Sequence, residues 1–196
     1  MEVERRSVKK GEEEEEDMNK NKNVMVNHMA QMGFRVLGFV LSLVAAIVVG
    51  LNKQSKVVPL TVSLNLPPLD YTLIANWHYL SALVYLLSTN VIACSYSFLS
   101  FAFLLKNKNK DNILALLVIV LDTVMVALLF SSSGAAAAVG VIAYHGNSHV
   151  QWNKVCDVYG RFCKQMAAST VLSLAGAVVF MLLVVLASVG LQKRPK

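Results

Sequence analysis

Two full charges, Arg35 and Asp122, lie inside long apolar runs of this chain. Insertion scales charge roughly 2.5–3.5 kcal/mol for each such residue at the centre of a membrane helix, so opposite charges at matching depth are cheapest when they meet. The planar guanidinium fork of Arg35 suits two parallel hydrogen bonds to one carboxylate. The pattern predicts an intramembrane ion pair between Arg35 and Asp122. The rival chemistry is a small channel or a proton- or cation-coupled transporter in which Asp122 takes up the ion. Transport usually needs more buried polar machinery than this. Only Asn90 joins the pair inside the apolar runs, no proline interrupts them, and no inverted repeat is visible.

Cys156 and Cys163 share a connection expected to lie outside the cell, where thiols oxidise, and a disulfide between them is predicted. Closing so short a loop stabilises it by roughly 2.5 kcal/mol on the chain-entropy account. Cys94, within an apolar run, reads as a small packing residue. His145 and His149 are close in sequence, but no further ligand spacing supports a closed metal site, so no metal is expected. Trp77, Tyr79, Tyr144 and Trp152 fall near the ends of apolar runs, where aromatic belts sit at lipid headgroups. No Ser-His-Asp grouping, phosphate-cradling glycine loop, paired-carboxylate site or Asn-x-Ser/Thr sequon is found. Neither an enzyme nor a cofactor is expected.

The elements that must position these residues follow from composition. With 56% apolar and 15% charged residues among 196, the chain is too apolar for a soluble domain of that length. The apolar residues gather into runs longer than the roughly 18 residues that a membrane helix needs. The expected fold is an all-α integral membrane protein, a four-transmembrane-helix bundle with a small extracellular β element. Spans are placed at about 29–51, 79–105, 113–144 and 165–191, within a membrane domain at 25–191. Connections at 52–78 and 145–164 are assigned to the outside, and the one at 106–112 to the cytosol.

Residues 1–24, in which Glu12 to Asp17 holds six of the twelve acidic residues, read as a disordered cytosolic tail. The net charge of +6 points to topology rather than to nucleic acid, because the basic residues flank the apolar runs. The connection 106–112 contains Lys106, Lys108 and Lys110, and the tail 192–196 contains Lys193, Arg194 and Lys196. An even number of spans puts the latter on the same side as the N-terminus, so both termini are expected in the cytosol. The first span reads as a retained signal anchor.

In the first outside connection, Leu60, Val62, Leu64 and Leu66 alternate with polar residues between Pro59 and Pro67, which reads as a strand pairing with a segment around Tyr71 to Ile74. The third run exceeds the bilayer thickness and is expected to tilt or to project beyond the outer face. Helices in lipid associate through small residues and polar contacts. Gly38, Ser42, Ala46 and Gly50 recur every four residues on the first span, and Thr89, Ala93 and Ser97 on the second, with Ser169, Ser173 and Ala177 on the fourth. These stripes are read first as the seams of one bundle, with self-association as the other use.

Several motifs together resemble the Casparian-strip membrane-protein-like family of plants. They are Arg35 in the first span, Leu121-Asp122 in the third, and Gly146-Asn147-Ser148-His149 followed by Trp152, Cys156 and Phe162-Cys163. Further matches are Ala75-Asn76, Asn90 to Ser97, and Gly134 to Ala138, and together they are similar to its first subfamily. The resemblance covers nearly all four spans. It implies a plasma-membrane tetraspan protein, distantly similar to the MARVEL-type tetraspans, that forms homomers and heteromers. Its founding members are scaffolds that mark membrane domains and direct wall modification. The first outside connection lacks the aromatic-rich stretch of those founders. The expected partners are membrane lipid, copies of itself and related members, and secreted cell-wall enzymes.

Overall fold

The computed structural model describes residues 2–60, 69–106, 112–146 and 154–192. Helix α1 runs Glu2–Gly50 and leads into an antiparallel ribbon of strands β1, Lys53–Leu60, and β2, Leu69–Asn76. A 3-10 turn at Trp77–Tyr79 connects to α2, Ser81–Lys106, which is followed by α3, Asn112–His145. The single turn α4, Val155–Val158, precedes α5, Gly160–Gln192. Among the described residues four helical segments are long and apolar enough to cross a membrane: Met25–Gly50, Ser81–Lys106, Ile113–His145 and Gly160–Gln192. The molecule is therefore an all-α membrane bundle of four long helices with one small β ribbon at an end.

Helix α1 corrects the reading of residues 1–24 as disordered, since it is helical from Glu2. The segment is rich in Glu, Lys and Arg, which are good helix formers, and it leads without a Pro or Gly break after Gly11 into the apolar part of the same helix. The strand expected over Leu60 to Leu66 lies, beyond Leu60, outside the described residues, and strand β1 is described over Lys53–Leu60. The partner segment Tyr71 to Ile74 does lie within β2. Trp77 N–H donates to Asn52 O at 3.3 Å, which makes the even-numbered residues of β1 the hydrogen-bonded positions of the ladder. Pro59, paired with Asp70, thereby falls at a non-hydrogen-bonded position, where a missing N–H costs the ladder nothing.

Helix α5 starts at Gly160, ahead of the expected 165, so the connection between α3 and α5 is shorter than residues 145–164. At 1.5 Å per residue the 34 residues of α3 and the 33 of α5 reach about 50 Å, against roughly 30 Å of hydrocarbon. Both must tilt or extend beyond it. Gly146 stops α3: its φ of 73° lies in the left-handed region, and its N–H bonds Ile142 O at 2.9 Å, an αL cap.

The helices form a ring in which α1 packs on α2 and α5, and α3 packs on α2 and α5, leaving α1 and α3 diagonal. On α1 the buried positions are Arg35, Gly38, Ser42, Ala45, Val49 and the following Asn52, in steps of three and four. This differs from the strict four-residue stripe. A helix turns about 100° per residue, so each four-residue step overshoots a full turn by about 40°. Gly38 and Ser42 lie on the buried face, Ala46 is only half-buried, and Gly50 is exposed, with open space where a Cβ would stand. Gly38 faces Val179 and Phe180 of α5.

Two apolar clusters fill the ring. One, toward the ribbon, contains Val49, Leu83, Leu86, Ala136, Tyr159, Phe162 and Met166. The other contains Ala93, Met125, Leu129, Ala177, Phe180 and Leu183. Outward-facing leucines and valines such as Leu117, Val120, Val178 and Leu182 are exposed, as suits side chains solvated by acyl chains.

Candidate functional site

Arg35 reaches from α1 across the ring to Asp122 on the diagonal helix α3. Arg35 Nη2 lies 2.9 Å from Asp122 Oδ2, and Nη1 donates to Oδ1 at 3.3 Å, so the contact is bidentate. Their side chains are 2% and 0% exposed, respectively. Helix α2, lying between them, completes the group. Ser100 Oγ accepts from Arg35 Nη1 at 2.8 Å, and Tyr96 OH donates to Asp122 Oδ1 at 2.7 Å. Tyr96 and Ser100 are one helical turn apart, which puts one against the carboxylate and the other against the guanidinium. Three helices thus meet in one charge-assisted network, with Arg35 Nε its one polar atom without a partner among the described residues.

Sequence reasoning names Arg35 and Asp122 but misses Tyr96 and Ser100. A hydroxyl in an apolar run carries no cost that marks it, and nothing in its spacing says which helix it faces.

Farther along the interior, the small residues of α2 bond across the seams. Thr89 Oγ1 meets Ser132 Oγ of α3 at 2.8 Å, and Asn90 Nδ2 meets Ser173 Oγ of α5 at 3.1 Å. Thr89, Ala93 and Ser97 are all buried, as are Ser169, Ser173 and Ala177. These contacts join α2 to its neighbour α3 and, across the ring, to α5, and interhelical bonds of this kind average about 0.6 kcal/mol each.

A second polar junction closes the ribbon end. The buried side chain of Asn52, just after α1, donates through Nδ2 to Phe162 O at 3.2 Å. Gln54 Oε1 of β1 accepts from Phe162 N–H at 2.9 Å. Two side chains thus hold both backbone groups of one residue in the first turn of α5, and the Phe162 ring is buried in the apolar cluster below. Next to it, Cys163 is joined to Cys156 in a disulfide with the Cα atoms 5.7 Å apart. Asn52 and Gln54 could not be found from sequence, because a backbone carbonyl or amide as partner leaves no pattern to search for.

Of the motif in the second connection, Gly146 is a helix stop and Phe162 is the clamped residue, whereas Asn147, His149 and Trp152 lie outside the described residues. Cys94 lines a shallow apolar groove of about 400 Å³ on the α1–α2 face, with Phe39, Ser95, Phe98 and Leu99. Among the described residues no three His, Cys, Asp or Glu side chains converge as a metal site.

A family model described as the Casparian strip membrane protein domain matches residues 25–179. Among curated proteins, the chain is 53% identical to CASP-like protein 1E2 of Glycine max over 89% of its own length and 96% of that protein's. It is 51% identical to CASP-like protein 1E1 of Glycine max over 93% and 97% of the two lengths. It is also 50% identical to CASP-like protein 1E1 of Arabidopsis thaliana over 80% and 83%. No solved structure matches the chain.

Proposed function

The chain belongs to the Casparian strip membrane protein family, and from that premise we propose that it is a non-enzymatic scaffold of the plasma membrane. In this reading both termini are cytosolic, and the bundle associates laterally with copies of itself and with related members. Its ribbon end gathers secreted cell-wall enzymes into a membrane domain. The sidedness is supported by charge: Lys106 closes α2 at the end opposite the ribbon, and in the sequence the connection that follows α2 and the tail that follows α5 are rich in lysine and arginine, in keeping with the positive-inside bias.

One observation carries the choice between scaffold and transporter. Both oxygens of Asp122 are taken up by Arg35 and Tyr96, and the side chain is wholly buried. An ion-carrying carboxylate has to exchange partners during its cycle, whereas this one is fastened on both oxygens by neighbours from two helices. It serves as a structural tie.

The deciding experiment is cross-linking in native membranes, followed by affinity isolation with and without the segment 146–159. The scaffold reading expects cross-linked dimers or larger species, and secreted proteins that are lost with the segment. Monomers alone would sink it. Cation flux in proteoliposomes that vanishes in Asp122→Asn would establish the transporter instead.

A further inference from the structure

We propose that the ribbon end carries a cationic face that binds an extended carboxylated polysaccharide. The inference rests on the sidedness proposed above, which puts this end outside the cell. Lys53 opens β1, Lys154 precedes α4, and Arg161 and Lys164 lie in the first turn of α5, and all four side chains are exposed.

Lys53 and Arg161 are remote in sequence, yet the fold draws them to one place. Asn52 and Gln54, the neighbours of Lys53 on either side, both bond the backbone of Phe162, the residue after Arg161. Side chains alternate along a strand, so Lys53, between the inward-turned Asn52 and Gln54, is left exposed at the same end of the bundle as Arg161. The Cys156–Cys163 disulfide then ties the segment bearing Lys154 beside Lys164. The polar clamp and the disulfide therefore hold at one end of the bundle the backbone segments that carry the four cations. Asp157 of α4 is exposed among them, and Asp70 lies on β2.

The arrangement selects its partner class. The cations are spread over the surface and do not converge on an enclosed pocket, so a single small anion gains little from them. A polymer with regularly spaced carboxylates engages several of them together, and its later contacts form at high effective concentration. Anionic lipid is the weaker fit, because anionic headgroups concentrate in the cytoplasmic leaflet, whereas the sidedness proposed above puts this end outside. Basic residues on a translocated connection run against the positive-inside bias, so topology alone does not account for them.

The test uses the full-length protein in phosphatidylcholine nanodiscs, which leave both faces open, with polygalacturonate and a neutral glucan as probes. The expected result is binding to polygalacturonate alone, lost at high salt. In Lys53→Gln/Arg161→Gln/Lys164→Gln it is weakened about tenfold, with an unchanged gel-filtration profile. Equal binding of the neutral glucan, or an unaffected triple variant, would overturn the proposal. So would a preference for phosphatidylserine nanodiscs over polygalacturonate that the triple variant loses, which would assign the face to lipid. Sidedness is read separately, from a C-terminal epitope tag on intact and permeabilised cells. Staining only after permeabilisation supports the proposal, and staining of intact cells removes the polysaccharide as a partner even where the nanodiscs bind it.

Discussion

Arg35 and Asp122 show how much one residue can reveal and where it stops. Each is conspicuous because a charge in an apolar run demands an explanation, and the structure sets their atoms 2.9 Å apart. Tyr96 and Ser100 are as close to the charges, but they were not legible because a hydroxyl can satisfy itself on its own helix, as Ser100 also does on Ser97 O at 3.1 Å. Removing one member of a buried pair costs about 3–5 kcal/mol, because the other charge is left uncompensated. We therefore expect Asp122→Asn to lower the thermal stability of the detergent-solubilised protein by that order. The double change Arg35→Leu/Asp122→Leu should recover a large part of it. Tyr96→Phe, which removes one hydrogen bond to a charged acceptor, should cost about 1.5–3 kcal/mol. Melting curves of the four proteins check the ranking. A double variant no more stable than Asp122→Asn would mean that the pair does more than cancel two charges.

At the level of elements, the four long helices were legible because length and hydropathy suffice to define a span. The faces they present were legible only in part. Small residues every four positions mark a stripe that drifts around the helix, and Gly38 and Gly50 of α1 end up in opposite environments. An added Cβ at Gly38 would stand 3.5 Å from Val179 Cγ1 and 3.6 Å from Phe180, in ordinary contact, whereas at Gly50 it would meet nothing. Gly38→Ala should thus be tolerated. Gly38→Leu should destabilise the bundle by about 1–3 kcal/mol through overpacking against α5, and Gly50→Leu should be close to neutral. Thermal melts that show Gly38→Leu and Gly50→Leu behaving alike would refute the seam. The start of strand β1 was not legible because Lys-Gln-Ser-Lys lacks the alternation that marks a strand, and Asn52 and Gln54 take their meaning from a helix more than a hundred residues later.

For the whole molecule, the bundle is fastened at both ends: by the charged network toward the termini, and by the Phe162 clamp with the disulfide at the ribbon. Cys156→Ser/Cys163→Ser should cost roughly 2.5 kcal/mol on the chain-entropy account. Limited proteolysis should then cut first between α3 and α5, with the long helices still protected. Protection lost throughout would show that the disulfide holds the bundle itself together. The diagonal tie has another consequence, for how the chain is made. Arg35 precedes Asp122 by 87 residues, so at roughly 5–20 residues per second the guanidinium emerges on the order of ten seconds before its carboxylate exists. Through that interval the nascent first helix carries an orphan cation that lipid tolerates poorly. Until the third helix arrives that cation has no carboxylate to pair with, and a ribosome stalled before residue 122 would leave the charge unmatched in the first helix.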